Sequence, residues 1–382
     1  MLYRHVRLES LGYTLPDEVM TSAQLEERLE PLYRRLRLPE GRLELMSGIR
    51  ERRFWARGTL PSEMSIVSGR RAIQAAGIEP NEIGALIHAS VCRDHLEPAT
   101  ACKVHHHLGL PADCFVYDVS NACLGLLNGM AQIANMIELG QIRAGLVVGT
   151  EGSRQLVETT IEALNRDQTL TRSQLKLAVA SLTIGSASAA ILLTHESLSR
   201  DGGRLLNVTA RANTAFHDLC QSGADEAGGT MQPLMATDSE KLLQEGVATG
   251  HQTFARFLAE LNWDPADVDK TFCHQVGVAH RKLMLDTFGL SSVGDYTTLE
   301  WLGNTGSAAL PVTMALGAES GHVALGEHVA LLGIGSGINC LLAGVEWGGT
   351  RVEGGDGRSV AAAARRRVAQ PQTEPASPQA LP

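Results

Sequence analysis

Two stretches of this chain repeat each other at a single offset, and that repeat limits the folds open to it. Ile78-Glu-Pro-Asn-Glu-Ile83 precedes the mainly apolar run Ala85 to Val91. Trp263-Asp-Pro-Ala-Asp-Val268 likewise precedes Thr271 to Val276, an offset of 263 − 78 = 185 residues. Gly145-Leu-Val-Val-Gly149 resembles Val329-Ala-Leu-Leu-Gly333 at 333 − 149 = 184. A fixed period of this kind marks a duplicated unit. Between the markers each half reads strand, turn, amphipathic helix, strand, which predicts two copies of an α/β unit with parallel strands covered by helices. The expected division is residues 1–200 and 201–349, with a polar, helix-prone insertion over 153–180 placed as a cap on a site. Residues 350–382, with Arg365-Arg-Arg367 and four prolines, are poor in large apolar side chains and are expected to be disordered.

Composition narrows the function classes. Hydrophobic residues make up 44% of the 382 positions, enough for a large core. A net charge of −9 and only 4% aromatics disfavour a polyanion-binding or base-stacking surface, so no nucleic-acid partner is expected. Seven cysteines, an odd number, do not read as a disulfide framework and point to a reducing, cytoplasmic compartment. Cys102, Cys273 and Cys340 read as small hydrophobes. The opening MLYRHVRLES has no apolar stretch of the signal-peptide kind. Val329 to Val345 is uncharged but is interrupted by Gly333, Gly335 and Gly337, so it reads as two buried strands around a turn and not as a membrane span. His105, His106 and His107 point about 100° apart on a helix and lack metal-ligand spacing, so no metal is expected.

Three residues carry candidate chemistry. Phe115 to Val119 reads as a strand, and a helix begins near Cys123 and runs through Leu126, Met130, Ile133 and Ile137 to a stop at Gly140. A thiol at such a turn meets unpaired N–H groups and the positive end of the helix dipole, which favour thiolate. The same place also suits a buried small residue. His274 ends a predicted strand in the second copy, and Asn304 precedes the helix that mirrors the Cys123 helix. Duplication would bring all three to the C-terminal edge of one sheet, where α/β folds place ligands. An imidazole and an amide can hold a developing oxyanion. Taken singly, they are equally a core histidine and a turn asparagine.

The runs Cys92-Arg-Asp-His-Leu-Glu97-Pro-Ala-Thr, DVSNACLGLLNGM, CHQV, GNTGSAALP and LLGIGSGINC together resemble the thiolase superfamily. Within it the chain is similar to ketoacyl-ACP synthase III-type enzymes with a Cys–His–Asn triad, and more narrowly to the OleA type that condenses two acyl-CoA thioesters. The likeness covers roughly residues 1 to 348. It implies a five-layered αβαβα core, acylation of Cys123, and stabilisation of an enolate by His274 and Asn304. It implies that backbone N–H groups, including that of Gly337, hold the acyl carbonyl. Arg50, Arg52 and Arg53 fall in a segment resembling one that helps bind the CoA nucleotide.

Glu97 is the discriminating position, 123 − 97 = 26 residues before the nucleophile. Unactivated acyl-CoA has a weakly acidic α-proton and needs a positioned base, which in the OleA type enters the neighbouring subunit's site. A homodimer follows, with acyl-CoA as substrate and no cofactor, and with downstream enzymes or acyl carrier protein as further partners. Long acyl chains would lie between cap and sheets, against Leu126, Met130 and the 153–178 region. The final turn reads GIGSG, without the second cysteine of degradative and biosynthetic thiolases, and Leu182 to Ala189 lacks the aspartate usual in ketoacyl synthase III. Decarboxylative condensation with malonyl-ACP, a non-catalytic subunit of a heterodimer, and an ester-forming acyltransferase are the competing readings. Cysteines other than Cys123 receive no special role.

Overall fold

Strand Val6–Thr14 lies antiparallel to Ala187–His195, which is antiparallel to Ala144–Glu151. Ile83–Ala89 and Phe115–Val119 continue this array in parallel. The computed structural model describes residues 1–222 and 235–355. A second array repeats the order, from Gly203–Ala212 through Asn339–Glu346, His328–Gly335 and Lys270–Cys273 to Asp295–Tyr296. Arg7 with Arg204 and Leu8 with Gly203 join the two arrays at their first strands, so strand order is mirrored about that seam. This is the duplication read from the 185-residue offset.

The arrays are mixed, and not parallel throughout as the pattern predicted. Only three residues, Ser336 to Ile338, connect His328–Gly335 to Asn339–Glu346. A link that short closes an antiparallel pair, because a parallel return needs a crossover of about a dozen residues.

Burial divides the helices into layers. Pro61–Ala76 and Thr100–Leu108 cover the outer face of the first array, where Ile73 and Val104 meet Leu146 and Leu192. Ser239–Leu261 and Val278–Phe288 cover the second, where Phe257 and Leu285 meet Leu332 and Leu342. Between the arrays lie Gly125–Glu138 and Ala309–Glu319, whose apolar faces share one core with residues of both sheets. The result is αβαβα. Leu126 and Met130, expected as channel walls, belong instead to this central core and are fully enclosed. Their 3.6-residue spacing was right for burial, but periodicity does not tell a core from a channel.

The cap has its own core. Helices Arg154–Arg166 and Arg172–Val179 from the predicted insertion pack Val157 and Ile161 against Leu25 and Leu32. Those leucines come from Ser22–Arg28 and Glu30–Leu36, so the insertion supplies half the cap and the N-terminal region the rest. Thr21 with Gln24 and Thr171 with Gln174 form capping boxes that start two of these helices.

Arg351–Gly355 is a strand parallel to Ser10–Thr14. The disorder expected from 350 therefore does not hold over 351–355. Val6–Thr14 meets the second array only at Arg7 and Leu8 and leaves an open edge, which this strand fills. The expectation for the remaining tail falls outside the described residues. No helix among the described residues is long and apolar enough to cross a membrane.

Candidate active site

Cys123, His274 and Asn304 line one cavity of about 280 Å³ at the strand ends. His274 follows directly on strand Lys270–Cys273, and its N–H donates to Leu332 O at 3.0 Å. Asn304 is fixed by backbone bonds on both sides, its N–H to Thr183 O at 3.0 Å and its carbonyl accepting from Gly185 N at 2.8 Å. Its side-chain Oδ1 accepts from Gly306 N at 3.0 Å, which commits the oxygen and leaves Nδ2 as the donor. His274 is buried with neither ring nitrogen bonded to protein. Burial, helped by neighbouring His280, pulls its imidazole down to about 4. The ring is therefore neutral at pH 7, with one nitrogen to donate and one to accept.

Cys123 behaves differently from its expectation. The helix starts at Gly125 with Leu124 as N-cap, so the thiol stands just outside the first turn. Burial foremost, then Cys220 and Glu151, push it up to about 12, against opposing N–H groups of Cys123 itself and Ser336. Desolvation outweighs the dipole, and the resting side chain is a thiol. The amide turned toward the sulfur from the glycine-rich turn belongs to Ser336. Gly337, the expected donor, does not line the cavity. Gly335 keeps the turn close, since a Cβ there would lie 3.5 Å from Cys123 Cβ and 3.1 Å from Leu124 Cγ.

Several site residues had escaped the sequence reading. Glu151, at the end of strand Ala144–Glu151, lines the cavity, and burial raises its carboxyl above the usual range. Its Oε1 accepts from Ser307 Oγ at 2.5 Å, Val91 N at 3.2 Å and Ser307 N at 3.3 Å. The strand-edge rule that singled out His274 applies equally to Glu151. Cys92 and Cys220 also line the cavity, contrary to the reading that gave them no special place. Cys92 Sγ accepts from Gly152 N at 3.3 Å. Cys273 and Cys340 are buried as expected, whereas Cys102 is exposed. Apolar walls come from Leu156 of the cap and, unforeseen, from Leu242, Leu243 and Val247 of helix Ser239–Leu261.

Glu97 is exposed on the 90–99 loop and does not line its own chain's cavity. The loop is tied at both ends. Ser90 Oγ donates to Thr150 O at 2.7 Å, while Asp94 accepts from Ser62 N at 2.9 Å and Ser62 Oγ at 2.5 Å. Asp118 then accepts from Thr100 N and Ala101 N at 2.8 and 2.9 Å, capping the next helix. The three arginines separate. Arg52 is 1% exposed and donates to Ser22 Oγ, and Arg53 is buried and donates to Pro16 O. Burial removes both from a nucleotide in solvent, leaving only Arg50 accessible among them, and it pairs with Glu300 at 3.1 Å.

The profile of thiolase N-terminal domains matches residues 49–182, and that of the 3-oxoacyl-[acyl-carrier-protein] synthase III C-terminal domain matches residues 258–347. An acyl-CoA:acyl-CoA alkyltransferase of Shewanella oneidensis is 42% identical over 351 residues, covering 91% of this chain and all of that protein. The chain belongs to the acyl-CoA:acyl-CoA alkyltransferases of the thiolase superfamily. An alkyltransferase of Xanthomonas campestris is 34% identical over 347 residues, 91% of this chain and all of that one. The crystal structure of Xanthomonas campestris OleA, with a cysteine replaced by serine and lauric acid and lauroyl-CoA bound, superposes with a TM-score of 0.85 at 33% identity. It covers 91% of this alkyltransferase-family chain and all of that one.

Proposed function

We propose that this chain joins two long-chain acyl-CoA thioesters by Claisen condensation without loss of carbon dioxide. The observation that carries the reading is the shared cavity, which sets a half-buried thiol, a neutral imidazole and an oriented amide between apolar walls. Cys123 Sγ attacks the first thioester carbonyl, its proton passes to the departing CoA sulfur, and the acyl group stays on Cys123. The N–H groups of Cys123 and Ser336 hold the oxyanion of this step. A second acyl-CoA loses an α-proton to Glu97, and His274 with Asn304 Nδ2 stabilises the enolate. The enolate carbon attacks the acyl-Cys123 carbonyl and expels the thiolate. Water then cleaves the remaining thioester to give a 2-alkyl-3-oxo acid and the second CoA.

Glu97 does this work in a second copy of the chain, a reading supported by its exposure on a tethered loop and its absence from its own cavity's lining. Xanthomonas campestris OleA has been altered at a cysteine and at a glutamate 26 residues before it, the separation of Glu97 from Cys123 here. The cytoplasm is the compartment assigned, since the nucleophile must stay reduced. Purified protein given one long-chain acyl-CoA and no malonyl donor tests the reading by mass spectrometry. A two-chain 3-oxo product is expected, and CoA release without any two-chain product would refute it.

A further inference from the structure

Glu151 is a fully buried carboxyl on the cavity wall that the chemistry above does not use. Its described partners are hydroxyl, thiol and backbone N–H groups, with no cation among them. Burying a carboxyl without a cation costs several kcal/mol, so its retention calls for a reason. The reason lies in what it joins. Ser307 stands three residues after Asn304, in the turn whose Gly306 N–H already fixes the Asn304 amide. Val91 lies at the root of the loop that carries Glu97. Both segments reach Glu151 through the same oxygen, Oε1, across 156 and 60 residues of chain.

We infer that Glu151 is a positioning residue that holds the Asn304 turn and the root of the Glu97 loop in one frame. The inference rests on the condensation reading above. It sets the enolate-binding amide of one site and the base supplied to the other on a common support. Glu151 makes no bond to the N–H groups of Cys123 and Ser336 and reaches the acylation step only through its charge, which raises the Cys123 thiol and which Gln and Ala remove alike. Its loss should therefore separate the two half-reactions. Collapse of a support that merely stabilises the fold would slow both together. The neighbouring Cys92 thiol, also a partner of this carboxyl, sits on the same loop root and strengthens the link.

The test compares Glu151→Gln, which keeps an amide oxygen for all three bonds, with Glu151→Ala, which removes them. Wild-type two-chain product is measured first, so failure of the condensation reading shows there and failure of this inference shows only in the variants. Each variant is then followed by Cys123 acylation (intact mass) and by condensed product per acyl-enzyme. Glu151→Ala should acylate at no less than about a third of the wild-type rate and lose about 10- to 100-fold in condensation per acyl-enzyme, the scale of a displacement near 1 Å. Glu151→Gln should recover most of that loss. Ser307→Ala, which removes one bond from the other side, should fall between them, and adding it to Glu151→Ala should cost little more. Equal impairment of Gln and Ala would overturn the inference, since the acid itself would then be acting. An unchanged ratio of condensation to acylation in Glu151→Ala would overturn it too. If Glu151→Ala melts below assay temperature, an unchanged ratio in Ser307→Ala is the decisive contrary result.

Discussion

Asn304 Oδ1 accepts the backbone N–H of Gly306 at 3.0 Å, and this bond decides which end of the amide stays uncommitted. With the oxygen committed two residues downstream, Nδ2 is the group that remains, and it can only donate.

Replacing Asn304 by Ala removes that donor from the enolate while leaving the N–H groups around Cys123 in place. Condensation should fall about 10²- to 10³-fold, the usual scale for one oxyanion donor. Acylation of Cys123, read by mass, should change less than tenfold. A parallel fall in both would show that Asn304 serves the first step as well.

The Cys123 thiol, pushed up to about 12, predicts a pH course for its alkylation. Iodoacetamide labelling of the Cys123 peptide should rise about tenfold per pH unit from 7 to 10, because only thiolate reacts. A plateau already at pH 7 would mean that the helix dipole prevails over burial after all.

His274 sets a stability limit on the acid side. Its folded value of about 4 lies below the ordinary 6.5 of histidine. Between those values the unfolded chain binds a proton that the folded chain refuses, so stability falls as pH drops from about 6.5 towards 4. The total is about 3 kcal/mol at 1.36 kcal/mol per unit. His88, His280 and His322 shift in the same direction. The contribution of His274 is therefore read as a difference, with denaturant melts at pH 7.5 and 5.0 for wild type and His274→Gln. The variant should lose less stability between the two pH values.

Gly185 tests the frame around Asn304. A Cβ there would stand 2.0 Å from Leu302 O, a backbone collision one residue from the Gly303–Asn304 turn. Gly185→Ala should cost about 3 kcal/mol, the upper part of the usual overpacking range. The melting temperature reports it, and an unshifted melt would contradict the packing.

How far the sequence reached follows from which interactions are local. The repeat exposed the mirrored arrays because Ile83–Ala89 and Lys270–Cys273 carry their own apolar runs and preceding turns. The convergence of Cys123, His274 and Asn304 was visible because each sits in a short motif at a turn between elements, after Phe115–Val119, Lys270–Cys273 and the helix Leu299–Leu302. Glu151 was not, since its meaning depends on Ser307, 156 residues away. Nor were the walls from Leu242, Leu243 and Val247, because an amphipathic helix looks the same whether it faces a core or a cavity. Arg52 illustrates the opposite error. Its place in a segment resembling a CoA-nucleotide site suggested an accessible position, yet strand Glu51–Phe54 carries it inside. The thiolate expectation failed in the same way, because desolvation is a property of the folded surroundings.

The subunit assignment of Glu97 predicts complementation. Cys123→Ser and Glu97→Ala should each abolish condensation alone. Co-expressed with separate tags and purified as the mixed dimer, they should regain about half the wild-type rate, because a two-fold pair contains one intact Cys123–Glu97 combination. A mixed dimer as inactive as its parents would place Glu97 in its own chain's site.

The central claim is that a carbon–hydrogen bond breaks where ketoacyl synthases break a carbon–carbon bond. Wild-type protein supplied together with a long-chain acyl-CoA and malonyl-CoA labelled at its free carboxyl tests this most directly. A two-chain product is expected, with two CoA released for each and all label retained in malonyl-CoA. Labelled carbon dioxide released in step with a 3-oxo product extended by two carbons would contradict it.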